Sequence, residues 1–301
     1  MKIAIVGSGA LGCYYGGLLA RNGADIHFLM RSDYETVRAN GLTIKSPNGD
    51  FHLDKVNCYN NPVDIGIADI VFIGLKTTAN HCYKELVTPL VDSKTRIVTA
   101  QNGLGNEQLL ANLFVPNQIA GALAFLCANR IAPGIIDHLD YGHVHMGNFN
   151  RAPDVIIQKL GQLFNDAGID CKVVDDLNQA RWKKLMWNIP FNGLSALLDM
   201  TVDKLFIDKE LSRVVLALMK ETQAAAAANG AILDDAAIDQ MIEYTRVMEP
   251  YYTSMHLDRI NGHPMEIDSI LKAPLAAGTE KGIAMPELKK LYQALNEINN
   301  K

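Results

Sequence analysis

The segment Lys2-Ile3-Ala4-Ile5-Val6-Gly7-Ser8-Gly9-Ala10-Leu11-Gly12 constrains this chain more than any other. Lys2 to Val6 is short, apolar and rich in β-branched residues, so it reads as a buried strand of a parallel sheet rather than a helix. The strand runs straight into glycines spaced G-x-G-x-x-G, and a helical stretch follows from Ala10 to Asn22. Gly7 permits the tight reversal, Gly9 lets backbone N–H groups approach a pyrophosphate, and Gly12 lets the helix pack closely on the strand. An anion held there sits at the positive end of a helix. Glycines cluster in ordinary turns as well. Here the strand before, the helix after and a second strand from Asp25 to Met30 make the pattern a dinucleotide signature, with Gly7, Ser8, Gly9, Ala10, Leu11 and Gly12 as its cradle.

The end of the second strand bears on which dinucleotide. NAD sites place Asp or Glu there to bind the ribose 2′-hydroxyl, whereas this chain has Met30-Arg31-Ser32. The guanidinium of Arg31 suits a 2′-phosphate through charge-assisted bonds worth roughly 1.5–3 kcal/mol. NADPH/NADP+ is therefore expected over NADH.

With 301 residues the chain is long enough for two domains, and 49% hydrophobic with 20% charged residues is an ordinary globular composition. A net charge of −5 and the lack of a basic run argue against a nucleic-acid partner. No apolar stretch approaches the ~18 residues of a membrane span, and the N-terminus enters a strand at once, so no membrane association and a cytoplasmic location are expected. Cys13, Cys58, Cys82, Cys127 and Cys171 are scattered and lack C-x-x-C spacing, so they read as buried small side chains.

Strand and helix patterns alternate through the first half, which implies an α/β, Rossmann-like fold with helices on both faces of a parallel sheet. Leu42 to Lys45 and Phe51 to Leu53 flank a turn with hairpin chemistry, Ser46-Pro47-Asn48-Gly49-Asp50. A strand from Asp69 precedes Leu75-Lys76, a helix is expected from about Thr78 to Val91, and Arg96 to Thr99 leads to Gln101-Asn102-Gly103 and a helix to Phe114. In such sheets ligands bind beyond the carboxyl ends of the strands, which singles out Lys76 and Asn102 beside Gly9. Their plainer roles are a solvated strand terminator and a turn residue. Ile119 to Ala128, Gly134 to Leu139 and His143 to Met146 read as further strands that close the sheet with antiparallel pieces. His143 and His145 share a strand face, but no third ligand points to a metal. Composition shifts near Asp175-Asp176 to helical periodicity, placing a dinucleotide-binding domain over 1–175 and an all-α domain over 176–301.

The helix from Gln179 carries the second constellation. Lys184, Asn188 and Asn192 are spaced by four and form one polar ridge. Two mid-helix asparagines are poor helix formers and unlike surface filler beside Trp182 and Trp187, so they read as ligand-facing. Pro190 removes one donor and predicts a kink between them. Further on, Ser254 stands at a helix start, and Glu266 and Asp268 flank Ile267, each either a capping charge or a partner for a buried ammonium.

These residues together give a resemblance that none gives alone. The glycine turn, Arg31, Leu75-Lys76, Asn102-Gly103, the W-x-K-L-x-x-N-x-x-x-N helix and the later S-M and E-I-D pieces resemble the ketopantoate reductases (2-dehydropantoate 2-reductases) over nearly the whole chain. The resemblance implies NADPH-dependent reduction of 2-dehydropantoate to pantoate, a step of pantothenate and coenzyme A synthesis. It implies Lys184 as general acid, Glu266 as its catalytic partner, Asn102, Asn188, Asn192 and Ser254 as substrate contacts, and Lys76 and Asn102 beside the cofactor. Two departures touch the substrate side: the family's E-I-D-x-x-N-G here ends in Leu271-Lys272, and Tyr251 stands where an asparagine is usual. A reductase of another 2-keto acid and a non-catalytic NADP(H) sensor are the alternative readings. The oligomeric state stays open, a homodimer being compatible with the sequence.

Overall fold

The computed structural model describes residues 1–248 and 250–300. It forms two compact units, residues 1–101 with 106–177, and residues 102–105 with 178–301.

In the first unit β1 (Lys2–Val6) leads through the glycine turn into α1 (Ala10–Arg21), then β2 (Asp25–Leu29) and α2 (Tyr34–Asn40). β3 (Leu42–Lys45) and β4 (Phe51–Leu53) pair as the expected antiparallel hairpin. β5 (Asn57–Tyr59), α3 (Pro62–Ile65) and β6 (Ile70–Ile73) come next. The helix expected from Thr78 to Val91 is broken into a 3₁₀ turn over Thr77–Cys82, the short α4 (Tyr83–Val87) and a second 3₁₀ turn over Thr88–Leu90. Pro89 lacks the N–H that the Glu85 carbonyl would need, and Thr77, Thr78 and Asn80 are weak helix formers, so the α-ladder cannot extend. β7 (Arg96–Thr99) and α5 (Asn106–Ala111) follow, the latter shorter than the helix expected to reach Phe114.

β8 (Ile119–Ala132) and β9 (Ile135–Asn148) are continuous 14-residue strands, where the sequence suggested shorter pieces. Asp140-Tyr141-Gly142 resembles a turn but is a bulge: Phe125 pairs with His143 and Leu126 with Tyr141, leaving Gly142 unmatched. Tyr141 and Gly142 have φ of 61° and 119°, the left-handed geometry that lets a long hairpin bend. α6 (Val155–Asp166) and β10 (Cys171–Val173) complete the unit.

Among the described residues the sheet has ten strands in the order β4-β3-β9-β8-β7-β6-β1-β2-β5, with β10 also on β9. β1 lies between β2 and β6 and is parallel to both. Its odd and even residues face different cores, Ile3 and Ile5 one and Ala4 and Val6 the other, which is why the strand is apolar without alternation.

The second unit consists of α7 (Leu177–Leu198), α8 (Lys209–Ala228), α9 (Asp235–Arg246), α10 (Ser254–Ile260), α11 (Ala273–Glu280) and α12 (Pro286–Asn299), with segment 102–105 packed among them. Asp208 and Asp234 cap α8 and α9 by accepting from backbone N–H groups of their first turns. Trp182, Met186 and Phe191 of α7 pack with Leu218 of α8, Met255 of α10 and Leu288 of α12 in one core. α7 continues past Pro190 to Leu198. Among the described residues no helix is long and apolar enough to cross a membrane, and no group of three His, Cys, Asp or Glu side chains is placed to hold a metal ion.

Candidate active site

In the first unit the glycine turn is built as its spacing demands. Gly7 has φ of +99°, and a Cβ there would lie 2.4 Å from the Leu75 nitrogen at the end of β6. A Cβ on Gly12 would lie 2.3 Å from the Gly7 carbonyl oxygen, so helix and turn touch backbone to backbone. Gly9 is different: its Cβ direction is open, no side chain caps the start of α1, and the first turn of α1 has no acidic residue. Uncapped N–H groups facing open space at a positive helix end fit a pyrophosphate. Ser8 is tied down, its hydroxyl donating to the Leu29 carbonyl at 2.8 Å and so fixing the turn to the end of β2. Arg31 is exposed just beyond that strand, and Lys76 is exposed where the first 3₁₀ turn begins.

In the second unit α7 aligns Lys184, Asn188 and Asn192 one turn apart. Asn188 and Asn192 are each only 4% exposed, yet neither side-chain amide makes a hydrogen bond to another described residue. Their amide atoms are not among the buried polar atoms left without a partner, so amides with no bond inside the protein keep access to solvent and can meet a ligand there. Lys184 is half-buried, and its Nζ donates to Asn102 Oδ1 at 2.9 Å.

Asn102 reaches that position through a backbone device. The helical stretch that continues into α11 opens with a π-turn over Asp268–Lys272, in which the Ala273 N–H bonds the Asp268 carbonyl five residues back. The same step from the Ser269 carbonyl would need an N–H on residue 274, which is proline. The Ser269 oxygen accepts from the Leu104 N–H at 2.9 Å. The loop's fit there is tight: Gly103 has φ of +88°, and a Cβ on it would lie 2.4 Å from the Ser269 backbone. Gly103→Ala is therefore expected to displace Asn102 and cut turnover at least about tenfold, with about 1–3 kcal/mol of strain. Parallel kinetics and thermal unfolding check this, and an unchanged kcat would show that Asn102 needs no such seat.

Glu266 is buried and acts electrostatically on Lys184, whereas Asp268 is exposed and pairs with Lys272 at 3.6 Å. Of the two carboxylates left open by the sequence, Glu266 is the one coupled to the ammonium. Desolvation and the neighbouring Arg181 guanidinium bring the Lys184 pKa down to about 7, and Glu266 opposes them. Ser254 is half-buried at the first position of α10, behind the Thr253 cap. Asn102, Lys184 and Glu266 thus belong to one unit with Asn188, Asn192 and Ser254, while Gly9, Arg31 and Lys76 lie in the other. Sequence reading missed Arg181, which is buried three residues before Lys184 and legible from that spacing. It also missed Ser269 and Pro274, whose part depends on a turn type no local pattern announces.

A glycine-turn dinucleotide fold carried in one chain with a desolvated lysine and buried amides defines an oxidoreductase of the nicotinamide-linked class. Family models agree: residues 3–151 match the ketopantoate reductase PanE/ApbA model and residues 176–299 its C-terminal counterpart. A 2-dehydropantoate 2-reductase of Nostoc sp. (strain PCC 7120) is 40% identical over 305 residues, covering 100% of this chain and 96% of that protein. The crystal structure of 2-dehydropantoate 2-reductase from Geobacter metallireducens GS-15 is 47% identical with a TM-score of 0.96, covering 99% of each chain. That from Methylococcus capsulatus is 33% identical with a TM-score of 0.93, covering 99% of this chain and 96% of that one. The chain belongs to the ketopantoate reductase family.

Proposed function

We propose that this protein reduces 2-dehydropantoate to (R)-pantoate with NADPH, supplying pantothenate and coenzyme A synthesis. The observation that carries the reading is the Lys184 ammonium held 2.9 Å from Asn102 Oδ1, with Glu266 beside it and two unspent amides on the same helix. Gly7 to Gly12 would hold the pyrophosphate and Arg31 the 2′-phosphate, with Lys76 and Asn102 beside the cofactor; when bound, the reduced nicotinamide supplies the hydride. Lys184 is the general acid. As the keto carbon is reduced, alkoxide charge grows on its oxygen, and a protonated amine within hydrogen-bond reach stabilises that charge and then delivers the proton. A pKa of about 7 makes this ammonium a far better proton donor at neutral pH than an ordinary lysine. Asn102 accepts one N–H of the amine and so aims the others, while Glu266 holds the charged form. Asn188, Asn192 and Ser254 are neutral, and they orient the substrate carboxylate and hydroxyl without adding repulsion.

A second reading, reduction of a different 2-keto acid, rests on Tyr251. Leu271, the other departure from the family pattern, is fully buried in the helical core and so bears on packing. Tyr251 packs against the same core but is only half-buried, so it is the departure on which a change of substrate choice would turn. The test is turnover of 2-dehydropantoate and a panel of branched 2-keto acids, each with NADPH and with NADH. The highest kcat/KM is expected for 2-dehydropantoate with NADPH. Preference for another acid would transfer the assignment to the second reading, and NADPH binding with no turnover of any acid would leave a sensor.

A further inference from the structure

The β8–β9 hairpin carries Arg130 to the end of β2, 98 residues away from Ser32 in sequence, where its Nη1 donates to Ser32 Oγ at 2.9 Å and to Asp33 Oδ1. Asp33 occupies the cap position of α2 but makes no capping bond. The residue is 3% exposed, and its second carboxylate oxygen accepts from the Gly134 N–H at the hairpin tip at 3.1 Å. Asp33 has thus forgone the usual role of an N-cap to fix a guanidinium. This engagement also ties up a carboxylate close to the strand end, where a ribose hydroxyl would otherwise find one.

What Asp33 fixes is not spent. The Arg130 side chain is 44% exposed, and its Nε and Nη2 make no hydrogen bond to a described residue. Arg31, bonded through the chain to Ser32, is exposed and forms no ion pair among the described residues. Two guanidiniums flanking one serine repel each other, and an anion between them relieves the repulsion. The cluster lies close to the dinucleotide turn. Cys13, in the first turn of α1, bonds the Ser8 carbonyl at 3.2 Å, and its thiol feels the charges of both Asp33 and Arg130.

We infer that Arg130 is a second reader of the adenosine 2′-phosphate, its planar fork positioned by Asp33 to share that group with Arg31. The inference rests on the NADPH reading above and assigns part of that preference to a residue from a distant strand pair of the same sheet. A planar fork holds a phosphate through two bonds, so its loss is expected to cost about ten- to a hundredfold in affinity for the phosphorylated ligand alone.

The experiment measures binding of 2′,5′-ADP and of 5′-ADP to the full-length protein and to Arg130→Gln, Arg130→Lys and the double variant Arg130→Gln with Asp33→Asn. KM for NADPH and for NADH is measured alongside kcat. The native protein is expected to favour 2′,5′-ADP. Arg130→Gln should weaken 2′,5′-ADP and raise the NADPH KM about ten- to a hundredfold, leaving 5′-ADP binding and kcat at saturation unchanged, while Arg130→Lys should fall between. The double variant removes the bare Asp33 charge and should stay weak for 2′,5′-ADP. Equal loss of both ligands, no loss of either, or recovery in the double variant would each overturn the inference. Absence of any preference for 2′,5′-ADP in the native protein would instead bring down the NADPH reading, and this inference with it.

Discussion

Lys184→Met is expected to lower kcat for reduction by about 10²–10⁴ while leaving the KM for NADPH within a factor of about three. The rate loss follows because the substitution removes the ammonium that Asn102 Oδ1 aims, and water is a poor substitute as proton donor. The cofactor constant should hold because the glycine turn is built by β1 and α1, whose apolar residues belong to the cores of the first unit. Methionine keeps the length of the side chain, and Trp182, Leu185 and Met186 around it lie in a core that Lys184 does not help fill. Glu266, buried and deprived of its cation, bears the cost in stability. Circular dichroism and thermal unfolding establish that the variant folds, and stopped-flow single turnover isolates the chemical step. A folded Lys184→Met protein keeping more than about a tenth of native kcat would remove Lys184 from the proton transfer.

The second large effect is on pH dependence, and its sign is opposite for two neighbours of the same amine. Reduction needs the protonated form, so kcat/KM should fall as pH rises through about 7. Glu266 favours the ammonium, so Glu266→Gln should move the profile to lower pH. Arg181 disfavours it, so Arg181→Met should move the profile to higher pH. On the alkaline limb the rate follows the protonated fraction, so a profile displaced by about one pH unit changes the rate there about tenfold. Profiles between about pH 5.5 and 9.5 for the three proteins decide it, and displacements in the same direction would refute the electrostatic account.

Stability should run the other way. The Lys184 pKa is depressed from 10.5 in the unfolded chain to about 7 in the folded one, so between those values the unfolded state binds the extra proton. The contribution of this group to stability is complete above pH 10.5 and is lost as pH falls toward 7. Reductive activity is therefore expected to decline over the same window in which this group's contribution to stability grows, and Lys184→Met should flatten both trends.

Much of this organisation was legible in the sequence because it rests on local periodicity. β1, the glycine turn and α1 follow from a buried strand meeting a G-x-G-x-x-G, and the polar row of α7 follows from a spacing of four. What escaped depends on partners distant along the chain. Asp140-Tyr141-Gly142 has the composition of a turn, and only its pairing with β8 makes it a bulge. The π-turn is visible only once the Leu104 N–H is found on Ser269. The expected helix over Thr78 to Val91 failed because apolar spacing is blind to what Pro89 and a run of weak formers do to a ladder of backbone bonds. Local pattern alone left Glu266 and Asp268 equivalent, whereas in the fold Glu266 is buried and acts on Lys184 while Asp268 is exposed and pairs with Lys272.

Residues 102–105 interrupt the strand-and-helix unit on both sides yet pack with the helices. A chimaera that joins the first half of one relative to the second half of another at residue 178 would therefore transplant Lys184 without the amide that receives its N–H. Grafts within this family should carry the short Asn102–Gly105 insert along with the helical half, since inheritance by contiguous blocks would split a working pair between two parents.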